Sequence, residues 1–400
     1  MKWVSSFKYL PINYGMTLAT VSDRTQRVVF DNNLNGNKVR ILLSNKYAKN
    51  LLKLRKVFIG VENKGKIEKS VAVTLHGSTE IMLEAGEETY SDEVKLEVKA
   101  GDRLAVSMYL DQEQEIQNLC GYWAKNRAEV ICNVQGDDTK EVIAQRVSME
   151  EIYAFVKEDP SPVKGQFFFG FSAVQVLTED DVKVVVAFGD SITAMSFFTN
   201  ALQKRLYDTY PGQVTLVNAG IGGNRLVHDG TWIPDAPAEG GLFGEAGVKR
   251  FEKDVFETDQ VDSIFCLIGI NDIMHPVQFE GAGESISAEY LEKGYTYLVQ
   301  KARMYGAKIY GATVMPCGNT DYPEEWIHSF EKTRIQINEW IRIQSPYDGY
   351  FDFDAIVRDD TMPSYLREEV HIGDGLHPNT AGGKMLAECI SLRMLTGIED

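Results

Sequence analysis

Four places in the chain set a carboxylate three residues ahead of an imidazole: Asp272 with His275 in DIMHP, Glu325 with His328, Glu368 with His371, and Asp374 with His377 in DGLHP. Such a pair can relay a proton, the carboxylate fixing the ring's tautomer and balancing its charge, but it does chemistry only where a reacting group lies within reach. Spacing does not choose among the four. Other stretches supply the missing parts. FGDSIT (188–193) ends an apolar run, Gly189 allows a sharp turn there, and Ser191 is left beside the N-terminus of a following helix. Taken alone, Asp190 or Ser191 reads as a helix cap.

NAGIGGN (218–224) brings Gly220, Gly222 and Gly223, which let the backbone approach a ligand and aim an N–H at it. It lacks the Lys-Ser/Thr of a phosphate loop and the G-x-G-x-x-G spacing of a dinucleotide site. GIND (269–272) adds the carboxamide of Asn271. Acyl transfer requires a nucleophile, a base, a carboxylate that orients the base, and two or more donors for the oxyanion. The joint set covers each requirement. Metal ligation is the weaker reading, since no H-x-x-x-H or similar cluster occurs.

These residues need a frame that brings them together. After about residue 180 the runs VKVVVAF, VTLVNAG, SIFCLIG, KIYGATVMP and YFDFDAI alternate with stretches whose apolar residues recur at helical spacing. Buried strands each followed by a helix predict a doubly wound, flavodoxin-like parallel sheet of five strands, with ligands beyond the strands' carboxyl ends. Before that the rhythm is different. Val71/Val73/Leu75, Val94/Leu96/Val98 and Leu104/Val106/Met108/Leu110 alternate with other residues, and Asn35-Gly36 and Gly101-Asp102 read as turns. We expect a jelly-roll-like β-sandwich over residues 1–175 and a catalytic α/β domain over 176–400, with EDPSP (158–162) near the way out of the first and the strands of GQFFFGFSAVQVL (165–177) open to membership of it.

The four blocks GDSIT, NAGIGG, GIND and DGLHP, in this order, resemble those of the SGNH or GDSL hydrolases. The resemblance covers roughly residues 180–395. It implies Ser191 as nucleophile, His377 as base and Asp374 as its orienting carboxylate, with Gly223 and Asn271 joining the Ser191 amide in the oxyanion hole. VRILLSN (39–45), YSDEV (90–94) and NAGIGGNRL are similar to a bacterial subgroup with an N-terminal β-domain, a broad group that includes carbohydrate acetylesterases. One departure stands out: Ala194-Met195 follows GDSIT where related sequences often carry Asp-Gly.

The resemblance therefore implies a serine esterase acting on short acyl groups, most of all O-acetyl groups on carbohydrates. A lysophospholipase or thioesterase acting on longer chains would use the same residues. A carbohydrate-binding protein with an inactive hydrolase domain is the reading from another class. Asp190, Trp232 and His275 are the candidate substrate contacts. Trp232 lies in the Gly/Pro-rich stretch 226–247 and is open between a platform for a sugar ring and a pin for the loop; His275 is open between a substrate contact and loop packing. His76, His228, His328 and His371 read as ordinary loop or surface residues.

Composition narrows the partners. A formal charge of -17 repels phosphate backbones and anionic lipid, so neither nucleic acid nor a membrane is expected. The five cysteines, without a C-x-x-C, read as reduced core residues rather than a disulfide framework or a thiolate zinc site. The first residues form no apolar h-region, and no run approaches the roughly 18 residues of a membrane span, which predicts a cytoplasmic protein. The chemistry calls for no cofactor and no metal, and the sandwich leaves a homodimer contact open.

Overall fold

Runs of β-branched and aromatic side chains, buried on both faces, are what a parallel sheet covered by helices demands. The computed structural model describes residues 1–125, 127–279, 287–319 and 321–399, and each of the five expected runs contributes a strand, β1 (Lys183–Gly189), β2 (Val214–Gly220), β3 (Ser263–Leu267), β4 (Lys308–Ala312) and β5 (Gly349–Phe351), although YFDFDAI turns helical from Phe353. Their order in the sheet is β2-β1-β3-β4-β5. The pairings of β1 with β3, β3 with β4 and β4 with β5 are parallel. Because the order reverses at β1, the loops after β1, β2 and β3 emerge on neighbouring positions at the carboxyl edge, the switch point where doubly wound sheets bind ligands.

Helices follow the strands at the predicted spacing. In the helix Glu324–Ile343 the buried positions are Phe330, Arg334, Ile337, Asn338 and Ile341, one face of a 3.6-residue period. Arg334 on that face bonds Asp354, the two side chains each 3% exposed, so the stripe contains a buried ion pair. Among the described residues no helix is long and apolar enough to cross a membrane.

The chain divides into two compact units, Met1–Val182 with Leu206–Val217, and Lys183–Arg205 with Asn218–Asp400. The first is β-rich. One antiparallel sheet carries the strands Lys2–Lys8, Gly170–Thr178, Gly36–Ser44 and Glu88–Tyr90, with Val94–Val98 also paired to Gly36–Ser44; another has six strands, with Arg103–Leu110 and Arg24–Asp31 at its centre. Phe7 of the first sheet stacks on Phe30 of the second, ring centroids 4.4 Å apart. Along Val94–Val98 burial alternates residue by residue.

The structure moves the N-terminal boundary. An edge between 175 and 176 falls inside the strand Gly170–Thr178, which pairs with both Lys2–Lys8 and Gly36–Ser44 and so sits within its sheet. EDPSP is not an exit, because the chain returns through this strand after it. Asn35-Gly36 is not a hairpin turn either. The strands it connects, Arg24–Asp31 and Gly36–Ser44, lie in different sheets, and a Cβ at Gly36 would lie 2.4 Å from Val176 Cγ1. Close packing, not turn geometry, requires glycine there.

Candidate active site

β1 ends at Gly189 with no room for a side chain: a Cβ would lie 2.2 Å from Thr193 Oγ1 and 2.3 Å from Leu267 O. The chain turns sharply here into a one-turn helix, Ser191–Ala194, capped by Asp190, whose Oδ1 accepts from Ile192 N at 3.0 Å. Ser191 thereby stands at the helix's first position. Asp190, expected to touch substrate, turns inward instead and is 1% exposed. Burial pushes its carboxyl up to about 7, offset in part by the Ile192 amide and by His377, and its Oδ2 has no hydrogen-bond partner.

Ser191 Oγ lies 2.7 Å from His377 Nε2, and His377 Nδ1 lies 2.6 Å from Asp374 Oδ2. An ionised carboxylate only accepts, so Nδ1 carries the ring proton, and Nε2 is the acceptor that faces the serine hydroxyl. Although burial works to raise it, the Asp374 carboxyl is held below its ordinary range by the His377 ring and by the amides of His377 and Leu376. The loop bearing the pair has its own anchors. Asn319 Nδ2 donates to Asp374 O at 2.6 Å, and the amides of Gly373 and Gly375 donate to His371 Nδ1 at 3.0 and 3.1 Å. His371, expected to be an ordinary loop residue, organises the turn.

The loops after β2 and β3 meet at Asn224, and the first is tied to the helix that begins at Ser191. Asn218 ties the first to the nucleophile's helix: Nδ2 donates to Thr193 O at 2.7 Å, and Oδ1 accepts from Gly220 N at 2.9 Å. Gly223 adopts φ +68° with the Phe243 ring against it, a Cβ there lying 2.1 Å from Phe243 Cδ1, so no other residue fits without displacing that ring. Asn271 donates from Nδ2 to Asn224 O at 3.0 Å. That uses one of its two N–H groups and fixes the plane of the amide.

Asp272 is spent differently from Asp374. Its two oxygens accept from Leu226 N at 2.6 Å and Val227 N at 3.0 Å, and burial raises its carboxyl to about 6 against the pull of those amides. His275, left open between substrate and packing, lies in the packing. It is 5% exposed, with Nδ1 2.8 Å from Thr231 Oγ1 and Phe243 and Phe279 against its ring. Burial, and then the charge of Arg225, lower its pKa to about 3. In DIMHP both side chains are engaged by neighbouring loops, whereas in DGLHP the carboxylate meets the imidazole that faces Ser191.

The long excursion after β2 is stapled at its base. Asn224 Nδ2 donates to Phe243 O and Glu245 O at 2.7 and 2.8 Å, and Val248 N donates back to Leu226 O. Trp232, on this excursion, is 55% exposed. Ala194 and Met195, the departure noted after GDSIT, are both buried. Among the described residues no group of three or more His, Cys, Asp or Glu could hold a metal ion.

One contributor was not anticipated. Arg250, 3% exposed on the helix Gly247–Phe256, lies behind the loops and donates to carbonyls at the ends of β1 and β2.

Residues 187–385 match the GDSL-like lipase/acylhydrolase family. Among solved structures the chain is similar to an acetyl xylan esterase at 21% identity (TM-score 0.38, 52% of this chain and 96% of that one). It is similar to an acetyl xylan esterase from Geobacillus stearothermophilus at 18% (TM-score 0.39, 53% and 94%). It is also similar to a GDSL-like lipase from Bacteroides thetaiotaomicron at 16% (TM-score 0.37, 53% and 87%). No curated protein matches the chain in sequence.

Proposed function

Because residues 187–385 belong to the GDSL-like lipase/acylhydrolase family, we propose that the chain is a serine ester hydrolase that removes short acyl groups, above all acetyl, from carbohydrates. The observation that carries the reading is the continuous relay from Ser191 Oγ through the His377 ring to Asp374, with contacts of 2.7 and 2.6 Å. His377 Nε2 takes the hydroxyl proton as Ser191 Oγ attacks the ester carbonyl. The oxyanion is met by N–H groups of Ser191, Gly223 and Asn271. As the tetrahedral intermediate collapses, the proton on Nε2 passes to the departing alcohol and an acyl-serine remains. The same nitrogen then takes a proton from water as its oxygen attacks the acyl carbonyl, and returns that proton to Ser191 Oγ as the acyl–serine bond breaks and the acid leaves.

The sugar as alcohol is supported by the likeness of the β-rich unit's segments to those of a group that includes carbohydrate acetylesterases, and by an aromatic face left to solvent at Trp232. Release of acetate from acetylated xylan and mannan oligosaccharides, by the wild type beside Ser191→Ala, tests it. Acetate from the wild type alone is expected. Wild-type activity that rises from p-nitrophenyl acetate to palmitate, with none on the glycans, would replace the reading by a long-chain lipase. Glycan binding without turnover of any ester would replace it by a sugar-binding protein.

A further inference from the structure

We infer that Arg250 is a positioning residue for the oxyanion hole, one buried guanidinium that sets the spacing between the nucleophile's loop and the two loops that carry oxyanion donors. The inference rests on the hydrolase reading above. Arg250 Nη2 donates to Gly189 O at 2.7 Å, two residues ahead of Ser191. Nη1 donates to Ala219 O at 3.0 Å, where β2 gives way to the glycine loop. Nε donates to Asn224 Oδ1 at 2.9 Å, and it is the Asn224 carbonyl that receives the Asn271 amide. Two of the loops are thus tied directly to one planar group, and the third joins them through Asn224.

That plane is what arginine offers and lysine does not. A guanidinium holds five N–H groups in a fixed fork, so three acceptors bound to it are fixed relative to one another; an ammonium is a point charge on a flexible stem. Stability is a poor reason to keep the group. Its charge is met by Asp254 Oδ2 at 2.9 Å and by the face of Phe188, with Cζ 4.2 Å from the ring centroid. A buried ion pair of this sort is commonly no more stabilising than apolar residues of the same size, because desolvation consumes the attraction. What apolar residues could not do is join the carbonyl ends of two strands to Asn224, whose backbone carbonyl holds the Asn271 amide.

If Arg250 acts through this arm, its loss and the loss of Asn271 overlap. Kinetic constants for p-nitrophenyl acetate would be measured for wild type, Arg250→Lys, Asn271→Ala and the double variant, with thermal midpoints for each. In the otherwise native enzyme, Arg250→Lys should lower kcat about 10- to 100-fold with KM held within about 3-fold. In the Asn271→Ala background the same change should cost less than about 3-fold. Equal losses in both backgrounds, or a folded Arg250→Lys with wild-type kcat, overturn the inference while leaving the hydrolase reading intact. A wild type that turns over no ester overturns both. Should Arg250→Lys not fold, Asn224→Ala takes its place in the cycle, since it removes the acceptor of Nε and keeps the carbonyl that holds Asn271; additive losses there overturn the inference equally.

Discussion

Asp374 holds His377 at two points: Oδ2 meets ring Nδ1 at 2.6 Å, and Oδ1 accepts the His377 backbone amide at 2.9 Å. The three-residue spacing closes a small ring that fixes the imidazole's tautomer and its direction toward Ser191. Asp374→Asn keeps the volume and can still accept the backbone amide, yet it can turn an N–H toward Nδ1 and favour the wrong tautomer. Turnover of p-nitrophenyl acetate should fall about 10³- to 10⁴-fold with the thermal midpoint little changed. A variant within tenfold of wild type would show that the carboxylate does not orient the base.

Asn271 spends one N–H on Asn224 O, and the proposed mechanism gives the other to the oxyanion. Asn271→Ala should cost about 10²- to 10³-fold in kcat, some 3–4 kcal/mol of transition-state stabilisation, with KM nearly unchanged. Burst and steady-state kinetics on the same ester read this directly. Near-normal kcat in the folded variant removes Asn271 from the oxyanion hole.

The parallel sheet was legible because strands covered on both faces read as unbroken apolar runs, and KVVVAFG and SIFCL can be little else between helical periods. The pair Asp374 and His377 was singled out through the resemblance of GDSIT, NAGIGG, GIND and DGLHP taken together, since the three-residue spacing alone fits four pairs. What could not be read depends on contacts between distant segments. Arg250 and Asp254 have the i, i+4 spelling of a surface pair, and only the carbonyls of Gly189 and Ala219 show that the arginine faces inward. Asp272 and Asp374 have the same local spacing to a histidine; the amides of Leu226 and Val227, 45 and more residues away, decide which carboxylate is left to serve an imidazole. His371 carries no mark in sequence beyond its place just ahead of Gly373 and Gly375, whose amides it accepts. The partners of residues 170–178 were not legible for a related reason: their pairing with the start of the chain is non-local.

Asp272 should matter through structure rather than chemistry. Removing its acceptors strands two buried amides, each costing about 1–3 kcal/mol. Asp272→Ala should therefore lower the thermal midpoint and reduce kcat by loosening the segment that carries Asn224. His275→Ala should reduce stability with a much smaller effect on kcat. Comparing the two variants by calorimetry and kinetics checks the assignment; a His275→Ala enzyme as inactive as Asp374→Asn would reverse it.

Trp232 is 55% exposed. If it serves as the platform, Trp232→Ala lowers kcat/KM on acetylated xylo-oligosaccharides about tenfold, the worth of a ring stacked on an aromatic face, and leaves p-nitrophenyl acetate turnover unchanged. Equal effects on both substrates would make the residue a loop pin.

Beside carboxylates such as Asp374 that are held below their ordinary range, His275 should add to the acid limb of stability. Burial, then Arg225, take its pKa from 6.5 to about 3, so between those values the unfolded chain binds a proton that the folded ring refuses. The unfolded state is then favoured increasingly as pH falls from 6.5 toward 3, by on the order of a few kcal/mol over the window. Asp190 and Asp272 slope the other way. Their folded values, about 7 and about 6, lie above the ordinary 3.8, so their contribution to stability is greatest in acid and is lost as pH rises through those values. Asn at position 275 can still meet Thr231 Oγ1 but does not titrate, and the carboxylates are common to both proteins. The difference in unfolding free energy between wild type and His275→Asn, measured by urea titration from pH 4 to 8, should therefore move steadily in the variant's favour below pH 6.5 and be flat above it. A difference independent of pH across that range would mean that the buried ring accepts its proton as readily as a free one.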